Sequence, residues 1–515
     1  MYLNALLFAV SLGLGLISYY LLTPNLDSDI LWSMAIGKWI SLNYTVPVVD
    51  SFSWTIYGKE WLTHEWIFSY LAYYSHLALG NWGFYLLAFL PAVVTIYVLY
   101  LIGDKLDVHG SYAFIIPMAV GVTLLYKLVI PFRAYLFGLM FFTILIYLLY
   151  FKEQGKRVGF YLFLLFVLWA NFHVSVCMGI LVLMAEMFRR MIISGRLLHP
   201  SAIMVLCIAA TLINPYIFKI WGYFLFTLTG MGEAKSIAEW QAADFNNLQI
   251  LFVYLFLAAT VIFLHFQYMR LQLSQEMSGS TIRQEATDQN QAVIGRLGLF
   301  EYISKLTGKV SARICILMLF WAFYIYSLYS VRMVFYTIIL WIIVSSILAG
   351  NRDNLNFTKR THYLFAGVFL LWFVGNIWTC QFKAPDILNY DPKISPVEEV
   401  QFFKNNPQYQ ANLFNEYIYG GYLILNEIPV FIDARSDSYI KFGIQQKYGD
   451  AVLLKEDPQQ IFDEMQVMNV IIPNHSMLDR YLAVNQRWRL VHRGSSACIY
   501  TAVQGIAVQN QSPQY

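Results

Sequence analysis

Residues 82–102 read WGFYLLAFLPAVVTIYVLYLI and contain no charged side chain. An α-helix needs about 20 such residues to cross the hydrocarbon core of a bilayer. The whole chain has the same character. Of its 515 residues, 58% are hydrophobic and 13% are charged, whereas soluble domains carry about 25% charged residues. The sequence therefore predicts a polytopic membrane protein.

Hydropathy predicts about eleven spans in a mainly α-helical transmembrane bundle. Residues 1–382 form this predicted domain, with a first outer loop at 23–66. The segment Ile217–Leu228 is either a re-entrant helix or a further span. The predicted spans lie near Leu6–Leu22, Trp82–Ile102, Tyr112–Leu128, Tyr135–Phe151, Phe160–Asn171, Val174–Met191, Pro200–Ile213, Leu248–Phe266, Cys315–Leu328, Met333–Ala349 and Tyr363–Thr379.

Lysine and arginine are concentrated in alternate loops, for example at residues 152–157 and 189–196. Because basic loops tend to stay in the cytoplasm, this pattern predicts a cytoplasmic N-terminus and an extracytoplasmic C-terminus. The first apolar segment is a predicted retained span, since it has neither a basic region before it nor a cleavage site of small residues. The polar loop Gln267–Ala312 is then cytoplasmic, with a predicted linker at Ser274–Gln291 and an interfacial helix at Ile294–Leu306.

From about Lys383 onward, the composition becomes that of a soluble α/β domain, predicted over residues 383–515. Ser395 and Glu398 have the spacing of a capping box at the start of a helix. The cysteines do not indicate a disulfide framework, although Cys380 and Cys498 fall on the same predicted side. The predicted elements are a helix at Pro396–Lys404, strands at Val430–Ile432 and Val470–Ile472, a helix at Met477–Val484, and a hairpin of Arg487–His492 with Ala497–Thr501.

Two carboxylates, Asp27 and Asp29, lie where the chain leaves the first predicted span. A carboxylate there can act as a general base towards an acceptor hydroxyl, or hold a divalent cation. The alternative is capping, since Asp27, Ser28 or Asp29 can satisfy the first N–H groups of a helix over Ile30–Ser41. The triplet alone does not decide between them. Six segments converge on the same predicted outer face, which favours function for at least one aspartate.

Five further polar side chains fall on this face. The guanidinium groups of Arg133 and Arg332 can each bind a phosphate through two hydrogen bonds. Alternatively, the two side chains snorkel to the membrane interface. Glu65 is a candidate base or metal ligand and His64 a donor to a phosphate or sugar hydroxyl, or the two form an interfacial polar pair. His173 is either a ligand or a polar residue in helix packing.

In the tail, Asp433 and Arg435 follow the predicted strand Val430–Ile432. Ligands of open α/β sheets bind at the carboxyl ends of strands, so both residues are candidates for substrate binding. The alternative is a structural Asp–Arg pair beside a turn at Gly420-Gly421. Glu239-Trp240 is either a lid over the site or a plain loop.

The first outer loop contains a long string of acidic, aromatic and glycine residues: Asp27, Asp29, Trp32, Gly37, Trp39, Ile40, Asp50, Phe52, Ser53, Trp54, Thr55, Gly58, Trp61, His64, Glu65 and Trp66. This string resembles that of bacterial polytopic membrane proteins of the GT-C glycosyltransferase superfamily. Further segments that resemble this family are Arg133-Ala134-Tyr135, Trp169 to His173, Glu239-Trp240 and the pattern from Gly420 to Arg435. Two positions depart from the pattern: Ser33 stands where histidine is common, and Ala134 where proline is usual.

The resemblance implies transfer of a sugar from a polyprenyl-phosphate donor to an envelope glycan, lipid or protein acceptor. The reaction would take place at the outer face of the bacterial inner membrane. Asp27 or Asp29 would be the base, and Arg133 and His64 would hold the lipid phosphate. The implied partners are the donor, the bilayer and an unidentified acceptor, with no nucleic acid. A divalent metal ion is the one cofactor to consider.

Two alternatives to this reaction remain. An oligosaccharide ligase or polymerase uses arginines and a histidine on a large outer loop between late spans, whereas the large outer element here is terminal. A non-enzymatic transporter or scaffold for envelope polysaccharide is the other. A transporter is expected to carry ionisable residues at the bilayer midplane, but the charges here lie mainly at span ends, with Glu186 the nearest exception.

Overall fold

The computed structural model describes most of the chain, which is largely helical with one small sheet. Two compact units are present. Met1–Tyr19, Ala88–Ile130 and Ala134–Gln381 form the helical unit. Tyr20–Leu87, Pro131–Arg133 and Phe382–Tyr515 form the second, here called the loop–tail unit. The described residues are 9–10, 12–13, 28–108, 112–128, 133–153, 155–194, 198–229, 241–283, 296–349, 371, 374–375, 378, 391 and 393–503.

The first outer loop belongs to the same unit as the tail. The sequence-based division placed residues 23–66 with the spans, whereas the structure groups them with the C-terminal residues. The helices are α1 (Ser28–Asn43), α2 (Trp66–Leu79), α3 (Trp82–Lys105), α4 (Tyr112–Leu128), α5 (Tyr135–Ile146, continued by a π-helical turn at Tyr147–Phe151), α6 (Lys156–Phe172), α7 (Val176–Ser194), α8 (Leu198–Ala210), α9 (Lys219–Thr229), α10 (Leu248–Arg283), α11 (Arg296–Tyr329), α12 (Val334–Ala349), α13 (Val397–Asn405), α14 (Gly420–Leu425), α15 (Ser436–Lys441), α16 (Ile444–Val452), α17 (Pro458–Glu464) and α18 (Met477–Val484).

Four helices among the described residues are long and apolar enough to cross a membrane: Trp82–Lys105, Leu248–Met269, Ala312–Tyr329 and Val331–Ala349. Shorter apolar helices lie at Phe114–Leu125, Tyr135–Phe151, Arg157–Phe172 and Leu198–Ala210. The predicted total of eleven spans is not confirmed. Almost all of the first and last predicted spans, Leu6–Leu22 and Tyr363–Thr379, lie outside the described residues.

The predicted cytoplasmic linker is wrong over part of its length. Helix α10 extends from its apolar part to Arg283, so residues 274–283 are helical, while residues 284–295 lie outside the described part of the chain. Residues 296–306 of the predicted interfacial helix Ile294–Leu306 are the first part of α11, which continues to Tyr329, while residues 294 and 295 lie outside the described part of the chain. Residues 274–283 mix good helix formers (glutamine, glutamate, methionine and arginine) with poor ones (serine, glycine and threonine). Adding residues to an existing helix costs less than nucleating a new one, so the apolar part of α10 can continue into this segment.

The sheet lies in the loop–tail unit and contains β1 (Leu413–Asn415), β2 (Asn469–Pro473), β3 (Trp488–Arg493) and β4 (Ala497–Ala502). Their order is β1-β2-β4-β3, with β1 parallel to β2 and the other pairs antiparallel. The predicted strand at Val470–Ile472, the helix at Met477–Val484 and the closing hairpin are confirmed.

The predicted helix at Pro396–Lys404 is confirmed as α13, but its predicted capping box is wrong. Pro396 is the N-cap residue and makes no side-chain capping bond. Glu398 Oε2 instead accepts a hydrogen bond from Ser495 N at 2.7 Å, and Glu399 Oε1 accepts one from Ala497 N at 2.8 Å. The acidic start of α13 therefore fixes the turn between β3 and β4.

The predicted strand at Val430–Ile432 is wrong. The Asn415 amide occupies the backbone groups of this segment: its Oδ1 accepts from Phe431 N at 2.8 Å and its Nδ2 donates to Ile432 O at 2.8 Å. Val430 forms an isolated parallel bridge with Ser53 of the first loop. The segment is thus extended and fully buried, but a side chain and a distant loop replace a neighbouring strand.

Residues of the first loop complete the core beside the sheet. Ile56 belongs to the buried apolar cluster that contains Phe414, Phe431 and Val470. The Trp54 indole donates to Leu413 O at 3.0 Å, and Thr55 Oγ1 donates to Phe431 O at 2.7 Å. The loop and the tail therefore share one core.

Candidate active site

Asp29 lies in the first turn of α1, where the helix dipole and the unbonded N–H groups favour a carboxylate. Its Oδ2 is 3.2 Å from Arg133 Nη2, and its Oδ1 accepts a hydrogen bond from the Trp32 indole at 3.2 Å. The Asp29 and Arg133 side chains are 29% and 20% exposed. The pair is therefore held in position and still reachable by a ligand. The second predicted base, Asp27, lies outside the described residues.

Two glycines bring the tail against this helix end. A Cβ on Gly421 would lie 2.9 Å from Ser28 O and 3.1 Å from Leu31 Cβ. A Cβ on Gly420 would collide with Ile432 O and with Asp433. Only glycine permits both approaches. The Gly420-Gly421 turn noted in the sequence is therefore a contact between α14 and α1.

Tyr417 lies within the electrostatic field of the Asp29–Arg133 pair. Burial raises the pKa of its hydroxyl, and the negative charges of Asp29 and Asp433 add to the rise, while Arg133 opposes it. The hydroxyl shares a hydrogen bond of 2.6 Å with Ser436 Oγ. Sequence reasoning missed Ser436. The only sequence signal for Ser436 was its position directly after Arg435.

Arg435 is buried between two carboxylates. Its Nη1 lies 2.5 Å from Asp50 Oδ2, its Nη2 2.6 Å from Asp433 Oδ2, and its Nε 2.8 Å from Asp433 Oδ1. The guanidinium also lies over the rings of Trp61 and Phe52, at 4.6 and 5.1 Å from their centroids. Burial opposes its charge, but Asp433, Tyr439 and Asp50 outweigh this effect and raise the pKa of Arg435 well above its usual value.

The other carboxylate oxygen of Asp50 also accepts hydrogen bonds. Its Oδ1 accepts hydrogen bonds from Ser53 N and Ser53 Oγ, both at 2.8 Å, and from Phe52 N at 3.1 Å. Tyr439 OH donates to Asp433 Oδ2 at 3.0 Å. The geometry of Asp433 and Arg435 thus favours the structural alternative, because the pair joins the tail to the first loop and is almost wholly buried.

His64 and Glu65 form the polar pair that the sequence suggested. His64 Nε2 is 3.3 Å from Glu65 Oε1, and their side chains are 16% and 11% exposed. His64 also acts electrostatically on Asp437, a half-buried residue of α15 that sequence reasoning missed. Burial raises the pKa of the Asp437 carboxyl, while His64 and Arg435 act to lower it. A carboxylate and an imidazole of the loop–tail unit are therefore electrostatically coupled.

His173 and Arg332 lie in the helical unit. Arg332 Nη2 is 3.3 Å from His173 Nε2, and the Arg332 guanidinium lies over the Tyr135 ring at 5.2 Å from its centroid. Ser175 N donates to His173 Nδ1 at 3.0 Å. A neutral imidazole that accepts at Nδ1 carries its proton on Nε2. That proton would face an N–H group of Arg332, and the His173 side chain is almost fully buried, so the geometry favours a packing role for His173 over a ligand role.

The described residues contain no group of three or more acidic, histidine or cysteine side chains that could hold a metal ion. Asp29 lies against the guanidinium of Arg133. The predicted lid Glu239-Trp240 and Cys380 lie outside the described residues, while Cys498 is a free, buried thiol. A need for divalent cations stays a prediction for chelation to test.

A scan of protein-family models and a search of curated proteins found no match to this chain.

Proposed function

We propose that this protein is a membrane glycosyltransferase that moves a sugar from a polyprenyl-phosphate donor to an acceptor hydroxyl. The ion pair between Asp29 and Arg133 carries the proposal. It places a base candidate beside a phosphate-binding candidate in a partly exposed position at a helix N-terminus. The resemblance of the first loop to GT-C enzymes supplies the reaction class.

In the proposed reaction, the Asp29 carboxylate accepts the proton of the acceptor hydroxyl. The acceptor oxygen forms a bond to the anomeric carbon, while the bond from that carbon to the phosphate oxygen breaks and its electron pair leaves with the lipid phosphate. Arg133 stabilises the charge of the departing phosphate through charge-assisted hydrogen bonds. A phosphate can replace Asp29 as the partner of Arg133, because the guanidinium then exchanges one charge-assisted hydrogen bond for another.

The other predicted residues have supporting roles in this proposal. His64 and Glu65 form a polar pair that can bind sugar hydroxyls. Arg332, which lies beside the buried His173, is a further candidate for phosphate binding. Arg435 is a positioning residue, because it joins Asp433 of the tail to Asp50 of the first loop.

Glu186 bears on the transporter alternative. This buried carboxylate accepts hydrogen bonds from Arg189 Nε at 2.7 Å and from Arg190 Nε at 2.6 Å. Arg190 Nη2 also donates to Leu149 O at 2.7 Å. A carboxylate neutralised by two guanidinium groups is a poor candidate for the reversible binding of a coupling ion. The enzyme is therefore proposed ahead of the transporter.

The test uses membranes that contain wild type, Asp27→Asn or Asp29→Asn, with a panel of radiolabelled polyprenyl-phosphate sugars. We expect label transfer by wild type and its loss in Asp29→Asn at unchanged protein level. Repeating the assay with a chelator tests the divalent cation. If wild type transfers nothing from any donor, or both variants work like wild type, the proposal fails and the transporter or scaffold takes its place. Loss of transfer in Asp27→Asn alone would make Asp27 the base instead of Asp29.

A further inference from the structure

The loop–tail unit contains an open cavity of about 210 Å³, lined by residues other than Asp29 and Arg133. One wall is a face of α1, formed by Ala35, Lys38, Trp39 and Leu42, which are spaced three and four residues apart as neighbours on a helix are. Glu427 and Pro429, directly after α14, line it as well. Pockets for drug-sized ligands hold roughly 300–1,000 Å³. This cavity therefore suits one small ring, or one residue of a larger ligand.

The charges at the cavity favour a neutral ligand. Lys38 Nζ lies 2.5 Å from Glu427 Oε1, and the two side chains are 34% and 73% exposed. The hydrogen bond from Lys38 lowers the pKa of Glu427, which keeps the carboxylate ionised. Glu427 repels an anion and Lys38 repels a cation. A ligand with several hydroxyl groups can instead donate to the carboxylate and accept from the ammonium group.

Glu427 has φ of 64°, in the left-handed region, as do seven other non-glycine residues of the described chain. It follows α14 in a C-terminal motif in which Ile428 N donates to Leu423 O and Glu427 N donates to Ile424 O, both at 3.0 Å. Glycine is the usual residue at this position. The motif places the Glu427 carboxylate at the cavity.

We propose that this cavity binds a neutral pyranose, one sugar residue of the acceptor glycan. Trp39 is half-buried and lines the cavity, so its flat indole can lie against the C–H face of a sugar ring. The hydroxyl groups of the ring would meet Lys38 and Glu427. The inference that this sugar belongs to the acceptor rests on the proposed function, whereas the binding of a pyranose to the cavity does not.

Binding is tested on the full-length protein in lipid nanodiscs, because sugar detergents would compete. The probes are the methyl glycosides of glucose, galactose, rhamnose and N-acetylglucosamine, measured by saturation-transfer difference NMR. The variants are Trp39→Leu, which keeps an apolar side chain without a flat ring, and the double variant Lys38→Met/Glu427→Gln. The matched control is Lys447→Met/Glu464→Gln, since this pair has the same 2.5 Å separation and similar exposure of 33% and 63%.

We expect at least one glycoside to bind wild type and the control equally, and to bind Trp39→Leu and the double variant about tenfold more weakly. The proposal is overturned if no glycoside gives a signal on wild type. It is also overturned if the control weakens binding as much as the double variant, or if the isoprenoid alcohol farnesol binds in place of every glycoside.

The transfer assay separates this proposal from the proposed function. If pyranose binding needs Trp39 and no donor is consumed, the sugar site stands and the transferase fails. If transfer needs Asp29 while the cavity variants bind and transfer normally, the transferase stands and the acceptor site is wrong.

Discussion

At the scale of single residues, Arg435 holds two buried carboxylates, those of Asp50 and Asp433. Its removal by Arg435→Met leaves Asp50 and Asp433 buried without their guanidinium. We expect the free energy of opening at β2 to fall by about 3–5 kcal/mol, measured by hydrogen exchange in the full-length protein. The exposed pair of Arg487 and Asp463, 2.7 Å apart, is the control. Arg487→Met should cost at most about 1 kcal/mol, and equal losses in both variants would disprove this role.

Glu427 allows backbone strain to be separated from side-chain binding. A left-handed conformation costs a residue other than glycine roughly 1–2 kcal/mol, whereas an exposed ion pair contributes roughly 0–1 kcal/mol. We therefore expect Glu427→Gly to slow hydrogen exchange at α14 despite the loss of the Lys38 contact. Glu427→Ala keeps the strain and loses the pair, so exchange should be faster. A glycine variant less stable than the alanine variant would contradict this account.

At the scale of elements, Asp479 connects α18 to the sheet through hydrogen bonds. Its Oδ1 accepts hydrogen bonds from Tyr500 OH at 2.6 Å and from Arg493 Nη2 at 2.9 Å, and its Oδ2 accepts one from His475 N at 2.7 Å. Burial acts to raise the pKa of Asp479, but the hydrogen bonds from Arg493 and Tyr500 outweigh it and hold the pKa well below its usual range. The folded state therefore favours the ionised carboxylate of Asp479 more strongly than the unfolded state does.

This shift predicts acid sensitivity at α18. The stabilisation is complete above the unfolded pKa of about 4 and is lost as the pH falls towards the lower folded pKa. We expect hydrogen exchange at α18, corrected for its intrinsic pH dependence, to accelerate below about pH 4 in wild type. Asp479→Asn should be less stable at neutral pH and should show a smaller change in acid. An equal change in both proteins would exclude Asp479 as the cause.

The elements found from sequence are those with local signals. Helix α18 and the hairpin of β3 and β4 follow from their periodicity and from the turn at Gly494-Ser495. The segment Val430–Ile432 is as apolar as a strand, but its partners are the Asn415 side chain and Ser53, which no local pattern indicates. Similarly, the Glu398 spacing of a capping box is present, yet the carboxylate binds the distant Ser495 N.

At the scale of the molecule, the loop–tail unit is built from three separate parts of the chain. The tail alone lacks Trp54, Thr55 and Ile56, which complete its core. We expect a fragment of residues 383–515 to unfold without cooperativity or to aggregate. Fusion of residues 45–64 to that fragment should restore a cooperative transition, measured by near-ultraviolet circular dichroism.

The matched control for this fusion carries Trp54→Gly and Ile56→Ser, which remove the two apolar anchors. It should behave like the bare tail. A bare tail as stable as the fusion would contradict a shared core. Sequence analysis could place the start of the tail from composition, but not the inclusion of the first loop, because the contact of Asp50 with Arg435 joins residues far apart in the chain.

We propose that Asp29 acts as a base and is more than the structural partner of Arg133. A double-mutant cycle of sugar transfer with Asp29→Asn, Arg133→Gln and both together distinguishes the two roles. We predict that the double variant is as inactive as Asp29→Asn, while Arg133→Gln retains some transfer with weaker use of the donor. Recovery of transfer in the double variant, or full activity of Asp29→Asn, would show instead that the pair only holds the helix end in place.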